Sequence, residues 1–202
     1  KTEKSTLVTE KQIERVKTKI RRIRATLAAE KRKYGDYDDS RGIRFYPPRL
    51  YLEIGDLQGA LTYLRWFDKN FPGGGFYPDF LFEWTLILFK TGKLKEAEKK
   101  AFETFCSNTY LFDKFLGREI IQIDKFEGSN LETTEFANYM KYLSSQVELK
   151  DFSLWLENYI ATDKFQKLST TYIEIYKKLK TEKDRETRGN LIDQVAQLRK
   201  EF

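Results

Sequence analysis

Nucleophilic and metal-based chemistry depends on a few residue types, and this sequence is almost without two of them. It contains no histidine and a single cysteine, Cys106. The missing imidazole excludes Ser-His and Cys-His nucleophile pairs and histidine-ligated zinc. One thiol is too few for a cysteine-ligated zinc site, an iron–sulfur cluster or an intrachain disulfide. We therefore interpret Cys106 as a small buried apolar residue.

The acidic segment near residue 36 begins like a calcium-binding loop. Asp36, Asp38 and Ser40 follow the alternating spacing of the first ligands of such a loop. The match then ends, because Arg41 stands where the loop needs its sharp-turn glycine and Pro47 stands where it needs the closing glutamate. We therefore reject a metal site in this segment.

Other motifs for chemistry are also incomplete. The glycines at residues 73–75 are not followed by the Gly-Lys-Ser/Thr sequence of a phosphate-binding loop, and residues 91–93 are typical of a turn between helices. Asp and Glu number 31 together, yet no Glu-x-x-Glu pair lies on an apolar face, where paired carboxylates act as acid and base. We expect a protein that is not an enzyme and needs no cofactor and no metal.

Positive charge is concentrated at the N-terminal end of the chain. Residues 1–34 contain 12 Lys and Arg and 4 Asp and Glu, a net charge of +8. Of the 37 basic and 31 acidic residues in the chain, the remaining residues hold 25 basic and 27 acidic ones, a net charge of −2. The basic character therefore belongs to one segment and not to the whole protein.

This basic segment predicts a long amphipathic helix over residues 9–33. Thr9 and Gln12 form a capping box at its start, and Gly35 is a stop signal at its end. Apolar residues recur at steps of three and four, which is a heptad seam. The seam consists of Ile13, Val16, Ile20, Ile23 and Leu27. The candidate basic surface on the remaining face consists of Lys11, Arg15, Lys19 and Arg22.

The basic helix leaves several interpretations open. Its charged face suits the phosphate backbone of a nucleic acid, an acidic partner or an anionic membrane surface. Alternatively, it is a solvated helix whose seam packs on the rest of the chain, or half of a coiled coil that joins two copies in a homodimer. No aromatic residues alternate with the basic ones, which argues against stacking of single-strand bases on this helix.

The middle of the chain contains the same helical-hairpin pattern twice, with an offset of 37 residues. In each copy an apolar helix ends at a glycine and a second helix follows. The first copy has a short first helix that begins at Pro48, and its second helix runs from near Asp56 to Pro72. A third, partial copy is predicted over residues 110–121. The aligned pairs are Gly55 with Gly92, Leu57 with Leu94 and Ala60 with Ala97.

This pattern resembles the tetratricopeptide repeat family. In that family a glycine ends the first helix, a large apolar residue and a small alanine follow at fixed spacing, and a proline closes the second helix. The first copy matches this pattern with Gly55, Leu57, Ala60 and Pro72. The second copy lacks the closing proline, and it matches with Gly92, Leu94, Ala97 and Ala101, with Trp84 near the first-helix tryptophan of the family.

The resemblance implies a binding site on the concave face of the hairpins. The corresponding residues in this sequence are Phe45, Arg49, Leu52, Phe82, Leu86 and Phe89. Only Arg49 is polar, so the charged clamp of some family members is not expected, and an amphipathic helix fits this face better. The alternative is that the chain's own N-terminal helix or C-terminal bundle covers the face, since apolar patches of this size are unusual on a monomer.

Residues 131–202 lose the repeat but keep helical patterning. Phe136, Met140, Leu143 and Val147 fit one helix face, and further helices are predicted over residues 152–160, 165–179 and 190–202. We expect these helices to pack on the end of the repeats as a cap.

The sequence therefore predicts an all-α protein. Its parts are a basic helix in residues 1–34, tetratricopeptide-like hairpins in residues 44–126 and a C-terminal cap. The longest nearly apolar run, residues 80–89, is about half a membrane span, and no signal peptide is visible, so a cytoplasmic location is expected. The expected function is that of an adaptor for a protein or peptide partner, and the alternative is nucleic-acid or other polyanion binding through residues 11–33.

Overall fold

The computed structural model describes residues 9–37, 41–73 and 76–201, and over these residues the protein is all-α, without a β-strand. The N-terminal residues 1–8, the calcium-loop positions Asp38 and Ser40, and two of the three glycines at 73–75 lie outside this range. The α-helices are α1 (Glu10–Tyr34), α2 (Pro47–Glu53), α3 (Leu57–Asn70), α4 (Pro78–Lys90), α5 (Leu94–Ser107), α6 (Leu111–Leu116), α7 (Thr134–Asn138), α8 (Lys150–Ile160), α9 (Asp163–Thr181) and α10 (Arg185–Leu198). Short 3-10 helices span Ile43–Phe45, Asn130–Glu132 and Val147–Leu149.

The long helix α1 confirms the sequence prediction at both ends. The side chain of Thr9 accepts a hydrogen bond from the Gln12 amide at 3.3 Å, and the side chain of Gln12 accepts one from the Thr9 amide at 2.8 Å. Gly35 ends the helix with a φ of +79°, which favours glycine. The seam of α1 is buried at Val16 and Ile20, which join a hydrophobic cluster with α2.

The apolar seam of α1 is covered by neighbouring segments of the same chain. The helix packs against α2 and against the 3-10 helix Ile43–Phe45 of the same chain. The three seam residues Val16, Ile20 and Leu27 are buried by these contacts within a single molecule. Contacts within one molecule therefore cover the apolar stripe that a coiled coil would use.

Two helical hairpins follow, α2 with α3 and α4 with α5. Gly55 and Gly92 stand at the two turns with φ values of +68° and +74°, as the glycine spacing predicts. Ala60 and Ala97 are fully buried, so α3 and α5 approach their partner helices closely. The first helix begins at Pro47, one residue before the predicted start.

The partial third copy ends earlier than the sequence predicts. Helix α6 stops at Leu116, and Gly117 adopts a φ of +70°. Residues 118–129 contain no helix; instead the Phe126 amide donates to the Tyr176 carbonyl at 2.9 Å. The prediction of a helix through residue 121 is therefore wrong, because the left-handed glycine turns the chain toward α9.

The predicted helix through Phe136, Met140, Leu143 and Val147 is also wrong. Helix α7 ends at Asn138, and of these four residues Met140 is buried while Leu143 and Val147 are exposed. The helix does not continue because backbone groups after it form hydrogen bonds with a distant segment: the Ser144 amide donates to the Phe115 carbonyl at 2.8 Å.

The last three helices pack on the hairpins and on one another: α8 lies against α4 and α9, and α10 lies against α9. The boundaries of α10 differ from the prediction. Helices α8 and α9 cover the predicted ranges, and α9 packs against α5. Helix α10 begins at Arg185, within the highly charged segment, because the Asp184 side chain accepts from the Thr187 amide at 2.8 Å. It ends at Leu198.

Helix α4 lies at the centre of the molecule. Every residue from Pro78 to Leu88 is buried except Asp79, so the helix is surrounded on all sides. Phe80 and Trp84 belong to the cluster shared with α1 to α3, whereas Phe82 and Leu86 belong to the cluster shared with α5 to α10. The two hydrophobic clusters therefore meet along this one helix.

Candidate functional site

The face predicted to bind a partner is covered by the chain's own C-terminal part. Phe82 is 0% and Leu86 1% exposed. The ring of Tyr142 stacks on Phe82 at a centroid distance of 5.4 Å, and α8 contributes Phe152 at 5.5 Å. Of the two alternatives for this face, burial by the chain's own C-terminal part is the one observed at Phe82 and Leu86, because so large an apolar surface is buried favourably within the chain.

The other four predicted residues have different environments. Phe89 is partly buried, and its ring lies 5.1 Å from that of Trp155 in α8, so it belongs to the covered region. Leu52 is partly buried between the two hydrophobic clusters. Phe45 and Arg49 line a pocket that opens to solvent.

Arg49 is held by two carboxylates of α4. Its Nε donates to Glu83 Oε1 at 2.7 Å, and its Nη2 donates to Asp79 Oδ2 at 2.8 Å. The hydroxyl of Tyr142 donates to the same Glu83 oxygen at 2.9 Å. This network ties α2 and the segment after α7 to the central helix, and its geometry is that of charge-assisted hydrogen bonds.

Burial sets the protonation behaviour of this network. Glu83 is 1% exposed, and burial raises its pKa to about 7, although Arg49 acts in the opposite direction. Burial also disfavours the charged form of Arg49, but Glu83, Tyr142 and Asp79 together outweigh it and keep the Arg49 pKa above its usual value. Burial and the nearby Glu83 raise the pKa of Tyr142. Glu83 is therefore the member of this network that titrates near neutral pH.

The pocket beside Arg49 has a volume of about 290 Å³ and lies between the starts of α2 and α4. Its walls are largely aromatic, and two of its tyrosines are well exposed: Tyr46 at 50% and Tyr77 at 42%. Charged side chains stand at its edge. The lining residues are Arg41, Gly42, Phe45, Tyr46, Arg49, Tyr77, Asp79, Phe80 and Phe136.

The sequence predicted Phe45 and Arg49 but not the other pocket residues. For two of these, Tyr46 and Tyr77, a repeated tripeptide in the sequence indicates equivalent positions. Phe-Tyr-Pro occurs at residues 45–47 and again at 76–78. In both copies the proline begins a helix and the tyrosine precedes it, which places Tyr46 and Tyr77 at equivalent positions of the two hairpins. The offset of this tripeptide is shorter than that of the glycines because α4 has 13 residues and α2 has 7.

The basic face of α1 is arranged as its spacing predicts. Lys11, Arg15, Lys19 and Arg22 are all exposed and line one shallow concavity of the helix surface. Within the described residues, none of these four has a carboxylate within 4 Å; the neighbouring Glu14 pairs with other cations instead, at 3.6 and 3.8 Å. The face therefore presents four cations along about 16 Å of helix.

The remaining groups for chemistry lie apart from these surfaces. Cys106 is buried, as predicted, and burial raises the pKa of its thiol to about 12. In the part of the chain that the structure describes, no group of three His, Cys, Asp or Glu residues could hold a metal ion. No helix within the same range is long and apolar enough to cross a membrane.

Fold and surfaces together define an all-α protein with two helical hairpins, three C-terminal helices packed on them and on one another, and an exposed basic helix. Comparison of the chain with protein-family models, with curated proteins and with solved structures gave no match. The chemistry of the described surfaces is therefore what indicates a function.

Proposed function

We propose that this protein is a non-catalytic helical scaffold that binds a nucleic acid or a similar polyanion through the basic face of α1. One observation carries the proposal: four exposed cations follow one line of the helix without a carboxylate partner among the described residues. Lys and Arg in such a row neutralise phosphates and release their counterions, which drives binding without any sequence preference.

The seam of α1 favours a polyanion in solution over a membrane surface. A helix that binds a membrane interface inserts its apolar face between the lipids. Here Val16, Ile20 and Leu27 of that face are buried against the protein itself. Because only the charged face is exposed, the interaction that remains is electrostatic, and α1 is held in place by the hairpin behind it.

Salt titration of binding tests this proposal. We expect a labelled 20-mer oligonucleotide to bind with a log K against log salt slope of about −3 for four phosphate contacts. Exchanging Lys11, Arg15, Lys19 and Arg22 for Gln should remove most of the slope. A matched control exchanges four exposed lysines of α5 and α9, Lys95, Lys99, Lys167 and Lys178. An equal loss of oligonucleotide affinity in both variants would mean that net charge alone is responsible. Unchanged affinity in the α1 variant would refute the proposal.

A second candidate function is a protein-binding adaptor with tetratricopeptide-like repeats. The positive φ of Gly55 and Gly92 and the buried Ala60 and Ala97 support the family likeness of the two hairpins. Since the predicted face is covered, the adaptor would bind through the pocket near Tyr77. A photo-crosslinking residue at Tyr77 should then capture a protein in cells; capture of nucleic acid alone would argue against the adaptor.

A further inference from the structure

We infer that the pocket between the starts of α2 and α4 binds a base of a single-stranded nucleic acid whose backbone lies along α1. The inference rests on the proposed function and adds the class of nucleic acid to it. It starts from the position of the pocket, its chemistry and the repeated Phe-Tyr-Pro sequence that builds it.

The pocket lies beside the basic face. Arg41 lines the pocket, and its guanidinium pairs with Glu30 of α1 at 3.5 Å. At about 100° per residue, Glu30 is only about 20° around the helix from Lys19, on the side of the basic face. A strand that follows the basic face toward the C-terminal end of α1 therefore arrives at Arg41. The path from Lys11 to Glu30 is about 28 Å long.

The pocket has the chemistry of a base-binding site. Its aromatic walls include the exposed rings of Tyr46 and Tyr77, and bases stack on such rings whatever their identity. Asp79 Oδ2 accepts from Arg49, while Asp79 Oδ1 has no hydrogen-bond partner among the described residues and is available to an amino group at a base edge. A volume of about 290 Å³ suits one small planar group better than a segment of polypeptide.

The inference changes one expectation from the sequence. No aromatic residue alternates with the basic residues of α1, which argued against single-strand stacking. The structure supplies the aromatic rings from other segments, because the 3-10 helix that contains Phe45 packs against α1. Paired bases of a duplex are stacked inside the helix and cannot enter such a pocket, so single strands are preferred.

Binding to three ligands that all carry a phosphate backbone separates the pocket from the basic face. The ligands are a labelled single-stranded 20-mer, a duplex of the same length and an abasic 20-mer that keeps the phosphates but lacks bases. We expect the double variant Tyr46→Ala/Tyr77→Ala to bind the single strand about 10-fold more weakly. Its affinity for the duplex and for the abasic strand should stay within twofold of the wild type.

Two further variants keep the result interpretable. Tyr46→Phe/Tyr77→Phe preserves the rings and should restore single-strand affinity, which a merely misfolded pocket would not explain. Tyr139→Ala removes another highly exposed tyrosine and should change nothing. Unchanged single-strand affinity in the alanine double variant, or an equal loss for all three ligands, would overturn the inference.

The two proposals fail in distinguishable ways. If the Gln variants of the basic face weaken all three ligands while the pocket variants weaken none, the polyanion site remains and the base site is refuted. If neither set of variants weakens any ligand, both are refuted. If the pocket variants abolish capture of a protein instead, the pocket belongs to the adaptor and the base site is refuted.

Discussion

The inner face of α4 and the outer face of α1 differ in what surrounds them. Phe82 and Leu86 on α4 are covered by α8 and by the segment that carries Tyr142. Lys19 and Arg22 on α1 are exposed to solvent. Apolar surface is buried by whatever part of the chain can reach it, whereas a row of like charges resists burial. An exposed charged face is therefore the better guide to a binding surface in this molecule.

The largest expected effect is at the covered face of α4. Phe82→Ala leaves a cavity among the rings of Tyr142, Phe115 and Phe152, so it should lower the free energy of unfolding by about 3–5 kcal/mol. Urea denaturation measures this change. An open groove would lose less than about 1 kcal/mol on the same substitution, and such a result would contradict the covered face.

The next prediction concerns the pH dependence of stability through Glu83. Its pKa is about 7 in the folded protein and close to 4.5 in the unfolded chain. Between these values the folded state binds more protons, so the contribution of Glu83 is fully present below about pH 4.5 and is lost as the pH rises through 7. The loss is about 3 kcal/mol. Glu83→Gln should flatten this part of the stability profile, and an equally steep profile would contradict the assignment.

A smaller effect is expected at Tyr142, which holds the segment after α7 against α4. Tyr142→Phe keeps the ring on Phe82 but removes the hydrogen bond to Glu83, so it should lower the free energy of unfolding by about 1–2 kcal/mol. Because that bond stabilises the ionised carboxylate, the Glu83 pKa should also rise. Denaturation across pH would show both changes. If the variant had wild-type stability and the same dependence of stability on pH, packing alone would hold the Tyr142 segment against α4.

Local signals predicted much of the fold. Capping residues and glycines in the sequence locate the ends of α1 and the turns at Gly55 and Gly92, because those positions depend on neighbouring backbone groups. The failures cluster between α6 and α8. There the chain follows distant hydrogen bonds, from Phe126 to Tyr176 and from Ser144 to Phe115, which no local pattern reveals.

The candidate site divides in the same way. The basic face of α1 could be predicted because all its members lie on one helix at regular spacing. The pocket could be predicted only in part, since Arg41, Tyr77 and Phe136 come from three segments that meet through tertiary packing. The repeated Phe-Tyr-Pro tripeptide was visible in the sequence, but its meaning depends on knowing that the two hairpins lie side by side.

The smallest effect on stability is expected at the basic face, which completes the contrast with α4. Lys11, Arg15 and Lys19 follow one another at intervals of four, and like charges at that spacing repel. Exchanging the four basic residues for Gln, a comparable helix former, should raise the free energy of unfolding by about 0.5 kcal/mol at low salt. Urea denaturation at two salt concentrations measures this, since salt should remove the gain.

This result would sharpen the contrast because the same variant should lose most of its polyanion affinity. Residues that raise affinity while they lower stability are explained by binding and not by folding. A core residue such as Phe82 should behave in the opposite way, with a large loss of stability and normal affinity in the molecules that remain folded. If the Gln variant were instead destabilised by more than 1 kcal/mol, the basic residues would be part of the fold, and the distinction between the two faces would be lost.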